Sequence, residues 1–332
     1  MENRDYSLDI IRVIACLMIV LMHSPMPGLG TSGVVLCGIS YLTAPAIGLF
    51  FMVSGALLLK KDMERSLDTR NFFRKRFSKI IMPVVFWSLV GWGLELCGVN
   101  NAELSILWFM YSLAGVYLLT PVLSRWLSIA DVKEVEFYLL LWLVTLFVPF
   151  AKRFIPVNES DTSWLYYFHG YVGYYVLGFY LQNYLERNQS VGRKMMFSLV
   201  LVCISIVLPI SLFVLNIEVD FYSLFWYLSI TVSLQCVAWW SVVKRLMRNV
   251  LQIPMIIVEL SNMIIVELSK LSFGIYLIHI LVMRNVLWGT VWMQSMNGLL
   301  QIVICTIMTF TISALISLGL SKIKYVKVVI GC

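Results

Sequence analysis

Residues 8–25 read LDIIRVIACLMIVLMHSP, an apolar run with an arginine near its start and a histidine near its end. A run of this kind crosses a bilayer as a helix, for which ~20 apolar residues are enough. On that helix Arg12 and His23 stand eleven residues apart. At about 100° and 1.5 Å per residue they share nearly one face, about 16 Å from each other. Ionisable groups inside a spanning helix are costly, so they face a bundle interior or a wet cavity and mark functional positions. A competing reading pairs Arg12 with Asp9, three residues earlier, at the membrane boundary. That pairing leaves His23 unaccounted for.

The rest of the chain has the same character. Of 332 residues, 60% are hydrophobic and only 13% are charged, and the mean hydropathy is far above that of a soluble globular protein. The expected fold class is therefore all-α, a polytopic membrane protein forming a single domain over residues 1–332. The net charge of +7 points to nucleic acid only until its distribution is read, because the cations gather in alternate loops. No nucleic-acid partner is expected. Seven cysteines are scattered through apolar segments without CxxC or CxxH spacing, so they read as small hydrophobes rather than disulfides or zinc ligands. Asp9 and Arg12 interrupt the first apolar run and no small-residue cleavage site follows, so the first helix is expected to be retained.

Ten spans are expected: residues 8–27, 38–59, 79–99, 105–127, 135–151, 164–184, 195–216, 221–243, 270–290 and 296–320. With a cytoplasmic N-terminus, 22 of the 25 Lys and Arg residues fall on the inner side, leaving only Lys152, Arg153 and Arg284 outside. The positive-inside rule thus predicts both termini in the cytoplasm. Every loop is short, so the activity belongs to the bundle. The loop before the ninth span carries a tandem repeat, MIIVELSN at 255–262 and MIIVELSK at 263–270. It is too short for a solenoid and predicts an amphipathic helix lying along the inner surface, with Glu259 and Glu267 toward water.

Only three histidines occur, His23, His169 and His279, and the topology places all of them at mid-depth or in the outer half. An imidazole can pack, bind a metal or carry a proton. His23 is the best general base for an alcohol, with Glu95 and Glu103 as outer-side groups able to orient it. His169, flanked by aromatic residues, is expected to pack or to touch substrate. No carboxylate motif supports a metal site, and no metal is expected.

Residues 71–83, NFFRKRFSKIIMP, set Arg74, Lys75, Arg76 and Lys79 against the start of the third span. Such bases fix topology and bind anionic membrane lipid. They also suit a phosphate-rich donor arriving from the cytoplasm.

These pieces together resemble the integral-membrane acyltransferase family 3, whose members include O-acetyltransferases of bacterial surface polysaccharides and nodulation factors. Arg12 and His23 match its Arg-x(10)-His motif. FFMVSGALLL at 50–59 is similar to its Phe-Phe-x-x-Ser-Gly segment, and Arg76-Phe-Ser-Lys79 stands where the family has Arg-x-x-Arg. WFMYSLAGVYLLTP at 108–121 resembles its fourth helix, and LSFGIYLIH at 271–279 its late Ser-Phe-Gly-Ile-Tyr-Leu-x-His segment. The resemblance covers nearly the whole chain.

It implies an O-acyltransferase of the bacterial cytoplasmic membrane, passing an acyl group, commonly acetyl from acetyl-CoA, to a hydroxyl of an extracytoplasmic glycan or lipid-linked saccharide. Arg74, Arg76 and Lys79, with Ser54 of the second span, would bind the donor. Arg12 would line its path, and His23 would act as general base or as transient acyl carrier. His279, His169 and Glu95 would contact the acceptor. Lys79 departs from the family's second arginine and supplies a point charge without a guanidinium fork, so Arg74 is expected to share its role. A transporter or flippase for glycan or acyl chains is the competing reading. The paired repeats and interrupted midplane helices common in such folds are not evident. The sequence leaves the oligomeric state open.

Overall fold

The computed structural model describes residues 4–24, 33–59, 69–96, 107–151, 167–185, 226–250 and 255–331. The expected span 195–216, Glu103, Lys152 and Arg153 lie outside them. Among the described residues all regular structure is helical, which in an apolar medium is the one open-chain way to pair every backbone group. Among the described residues five helices are long and apolar enough to cross a membrane: Tyr6–His23, Gly38–Leu58, Trp108–Ile129, Met263–Trp288 and Gly298–Ser321.

The chain packs as two compact units. The first comprises Met1–Thr43, Leu67–Leu118 and Ile253–Cys332. Its helices are α1 (Tyr6–His23), α2 (Gly33–Thr43), α4 (Thr69–Leu96) and the opening half of α5 (Trp108–Ile129). The late part of the chain adds α9 (Met255–Leu281), which passes into a π-helical segment Val282–Trp288, then the short α10 (Val291–Gln294) and α11 (Gly298–Ser321). Asp5 starts α1 by accepting from the Ser7 amide, and Asn297 starts α11 by accepting from that of Leu299. Behind α11 a 3₁₀ turn, Lys327–Ile330, packs along α4, where the Trp87 indole donates to the Val329 carbonyl at 3.0 Å. Gly331, at φ 71°, closes this turn against Phe273 and the Lys79 carbonyl, a position with no room for a Cβ.

The tandem repeat sits in α9. That helix is continuous from Met255 to Leu281, so the second copy opens a candidate span rather than forming a separate surface helix. Glu267 is exposed and pairs with Lys270 at 2.5 Å, one turn along.

The second unit, Ala44–Ser66 and Leu119–Gln252, holds α3 (Pro45–Leu58), the end of α5, α6 (Val132–Ala151), α7 (Val172–Tyr180) with its π-helical extension Leu181–Leu185, and α8 (Ile230–Val250). A reciprocal capping box starts α6: the Glu134 amide donates to Asp131 Oδ1 at 2.8 Å, and the Asp131 amide donates to Glu134 Oε2 at 3.3 Å. α3 and α7 approach backbone to backbone, Gly55 lying on the Tyr175 carbonyl and Gly178 on the Met52 carbonyl. Small residues that admit such an approach replace the hydrophobic drive that lipid cannot provide. The Trp142 indole donates to the Gly170 carbonyl at 2.9 Å, and its ring fills the space against Gly173.

Because a Cβ at position 178 would strike backbone, Gly178→Ala should destabilise the protein by at least about 2 kcal/mol. Gly115→Ala, where nothing lies within 4 Å, should be neutral or slightly stabilising. Thermal unfolding of the two variants in detergent checks the contrast.

Candidate functional site in the first unit

The site is built on the packing of α1 against α9. Three polar contacts run along the seam. The Arg12 guanidinium donates through Nη1 to Ser269 Oγ at 3.3 Å. The Cys16 thiol donates to the Ser272 carbonyl at 3.5 Å. At the far end His23 Nδ1 stands 3.4 Å from His279 Nε2, with the two rings edge to face at 5.1 Å. Partner numbers rise together along both helices, so α1 and α9 run parallel, and every polar contact falls on the face that carries Arg12 and His23. α11 closes the seam where Ser24 Oγ and Thr306 Oγ1 meet at 2.9 Å, both buried.

The two imidazoles differ in reach. His279 has no solvent exposure, whereas His23 is only partly covered. Each Nδ1 faces a carbonyl of its own helix: Tyr276 O at 2.6 Å for His279, and Ile19 O at 2.8 Å for His23. A carbonyl can only accept, so each Nδ1 carries the proton and each neutral ring keeps its lone pair on Nε2. The lone pair of His279 points to His23. That of His23 remains for chemistry.

At the other end, Asp9 does not serve Arg12. Both of its oxygens are gripped by Arg4, at 2.8 and 3.0 Å, and this hydrogen bond raises the Arg4 guanidinium above its ordinary pKa. Arg4 precedes the helix and can reach back over the first turn. Arg12 on the helix keeps the Ser269 hydroxyl as its hydrogen-bond partner and feels Asp9 only through space, while Arg76 lies close enough to repel it. Arg76 belongs to the cationic face of α4, where Arg74 and Lys79 are exposed and Arg76 is partly so. Among the described residues none of these three pairs with a carboxylate. Paired cations without a counter-ion suit a polyanionic ligand. The C-terminal turn adds a cation that sequence reasoning did not single out as a binding residue. Lys327 enters the turn that packs on α4, whose last residue, Gly331, meets the Lys79 carbonyl.

Arg284 is a second such residue. It sits in the π-helical segment directly after the helix of His279, with its guanidinium 5.2 Å from the Trp288 ring centre, and its charge is felt at His23. Two signals could have marked it: it was one of three cations that broke the inside-outside charge pattern, and π-helical turns cluster at functional sites.

The remaining expected residues are not drawn into this seam. Glu95 is exposed near the C-terminal end of α4. Ser54 and His169 belong to the second unit, Ser54 within α3 and one residue before the close-packed Gly55. His169 was expected inside a spanning helix, but it lies in an irregular turn before α7. Gly170, at φ 108°, takes the left-handed conformation that ends helical continuity there. Among the described residues no group of three or more His, Cys, Asp or Glu side chains could hold a metal ion.

Comparison with known proteins adds one finding. The model of a family described as an acyltransferase domain, acyltransferase family 3, matches residues 5–318. No curated protein and no solved structure matches the chain.

Proposed function

The chain belongs to acyltransferase family 3, and from that premise we propose that it is a transmembrane O-acyltransferase, moving an acetyl group from cytoplasmic acetyl-CoA to a hydroxyl of an extracytoplasmic glycan or lipid-linked saccharide. The observation that carries this reading is the α1–α9 seam, which joins a cationic end at Arg12, close to Arg76, to a reachable histidine with a bare nitrogen. Eleven helical residues, about 16 Å of rise, separate the two ends. A phosphate-bearing head held at one end and an extended arm reaching the other fit that separation.

The topology belongs to the same proposal. Ten spans with both ends cytoplasmic put the cations inside and His23 toward the outer face of a bacterial cytoplasmic membrane. Parallel packing supports the arrangement, because two helices crossing in the same direction require an odd number of crossings between them. The expected order places seven spans between α1 and α9.

In the reaction, the acceptor hydroxyl gives its proton to His23 Nε2 as its oxygen attacks the acyl carbon. The carbon–sulfur bond then breaks, and the same proton passes to the leaving thiolate, so donor and acceptor become free CoA and the O-acyl ester. Arg284 supplies positive charge near the oxygen that becomes negative in the tetrahedral state. Arg12, Arg76, Arg74 and Lys79 hold donor phosphates. Lys79 acts as a point charge, since it lacks the bidentate fork. Glu95, an exposed carboxylate, is a proposed acceptor contact, whereas the fully enclosed His279 is not, and the oligomeric state stays open.

His23→Ala should lower acyl transfer by at least about a hundredfold while the variant stays in the membrane and still binds acetyl-CoA. Undiminished transfer would remove His23 from the role of base. Calorimetry with acetyl-CoA should show saturable binding to the native protein in detergent. The Arg76→Ala/Lys79→Ala variant should bind about tenfold or more weakly, in line with lost hydrogen bonds to charged groups. Equal affinity for the two proteins would move the donor site elsewhere.

A further inference from the structure

The proposed reaction leaves one contact of the seam without a role: the approach of a fully buried histidine to the reactive one. We propose that His279 is a positioning residue, whose Nε2 accepts the Nδ1–H of His23 and thereby holds the bare Nε2 of His23 toward the substrate. This inference rests on the reading of His23 as the base.

His279 Nδ1 is 2.6 Å from the Tyr276 carbonyl, which can only accept, so the proton of a neutral His279 is on Nδ1. Its Nε2 is then a lone pair, and the group it meets at 3.4 Å is His23 Nδ1. His23 Nδ1 also meets the Ile19 carbonyl at 2.8 Å. Two acceptors therefore share one N–H, one from α1 and one from α9. With two points of attachment on different helices, the ring of His23 cannot turn without breaking one of them.

The second acceptor matters most when His23 has taken the proton. The imidazolium donates more strongly than the neutral ring, so a lone pair fixed at its Nδ1–H strengthens as charge develops, which is the differential binding that lowers a barrier. An imidazole suits this place. It is neutral, it is fully enclosed in the last turn of α9 between Tyr276 and His23, and its one acceptor nitrogen is aimed by its other, protonated nitrogen.

The chain has only three histidines, which makes a direct test practical. The full-length protein is labelled with ¹⁵N in its histidine rings, reconstituted in nanodiscs, and assigned with single His→Gln variants. At neutral pH the native protein should show protonated Nδ1 and bare Nε2 on both His23 and His279. His279→Phe keeps a ring but offers no acceptor. It should shift the His23 Nδ1 resonance and lower kcat about tenfold or more, with KM for acetyl-CoA little changed. In His279→Gln the amide oxygen stands close to the lost Nε2 and can only accept, so the native His23 resonance and most of kcat should return.

A proton on His279 Nε2 in the native protein would overturn the proposal, because that nitrogen would then not accept. A His279→Gln variant no better than His279→Phe would also overturn it. Should the native protein transfer no acyl group, the reading of His23 as base fails alone, and the ring resonances still decide whether His279 holds His23.

Discussion

The parallel packing of α1 on α9 is the constraint on which the site depends. An arginine and a histidine in one apolar helix are tolerated only if the face they share is covered by polar partners. α9 provides those partners at matching intervals: Ser269 for Arg12, the Ser272 carbonyl for Cys16 and His279 for His23. Removing any one partner would leave a polar group in a dry interface, where an unmet hydrogen bond costs more than in water. The chemistry of the seam and the stability of the helix pair are therefore coupled. The donors and acceptors that orient the reactive ring also join the helices.

A good part of this was legible in the sequence. Arg12 and His23 stood out because charge within an apolar run is rare, and an unbroken α1 turns their eleven-residue spacing into a shared face. The helical fold class followed from composition alone. What the sequence could not reveal was partnership across long separation. His279 lies 256 residues from His23, and nothing in LSFGIYLIH says which helix it will meet. Asp9 was read beside Arg12 by helical spacing, yet Arg4 takes it because a side chain ahead of the helix start is freer to reach it. His169 was read as helical because residues 164–184 are apolar enough for a span. One glycine with positive φ, Gly170, is enough to end the helix before it begins. The repeat was read as an amphipathic helix along the inner surface; it is helical and its Glu267 is exposed and paired with Lys270, but the helix runs on unbroken into the candidate span.

The second unit follows a different packing rule. Its helices are held by contact of backbone on backbone at Gly55 and Gly178 and by buried aromatic residues such as Trp142, Tyr174 and Tyr175. The phenol of Tyr175 meets the Thr120 hydroxyl at 2.9 Å, and that of Tyr174 donates to the Tyr227 carbonyl at 2.7 Å. Large rings with satisfied polar tips next to glycines give dense, well-defined packing. In the first unit, serine, threonine and histidine line the α1, α9 and α11 interfaces instead. The family match over residues 5–318 takes in both units.

On the proposed route an acyl group leaves a donor at the cationic end of the seam and is delivered to a hydroxyl on the far side of the membrane by way of His23. Sealed inside-out membrane vesicles containing the protein test it most directly. Acetyl-CoA labelled in the acetyl group is added to the outer solution, and label is followed in saccharide enclosed in the lumen. The account predicts labelled saccharide in the lumen of vesicles carrying the native protein, and none with His23→Ala. Label that remains entirely in acetyl-CoA with the native protein, or that reaches the saccharide equally well without His23, would contradict it.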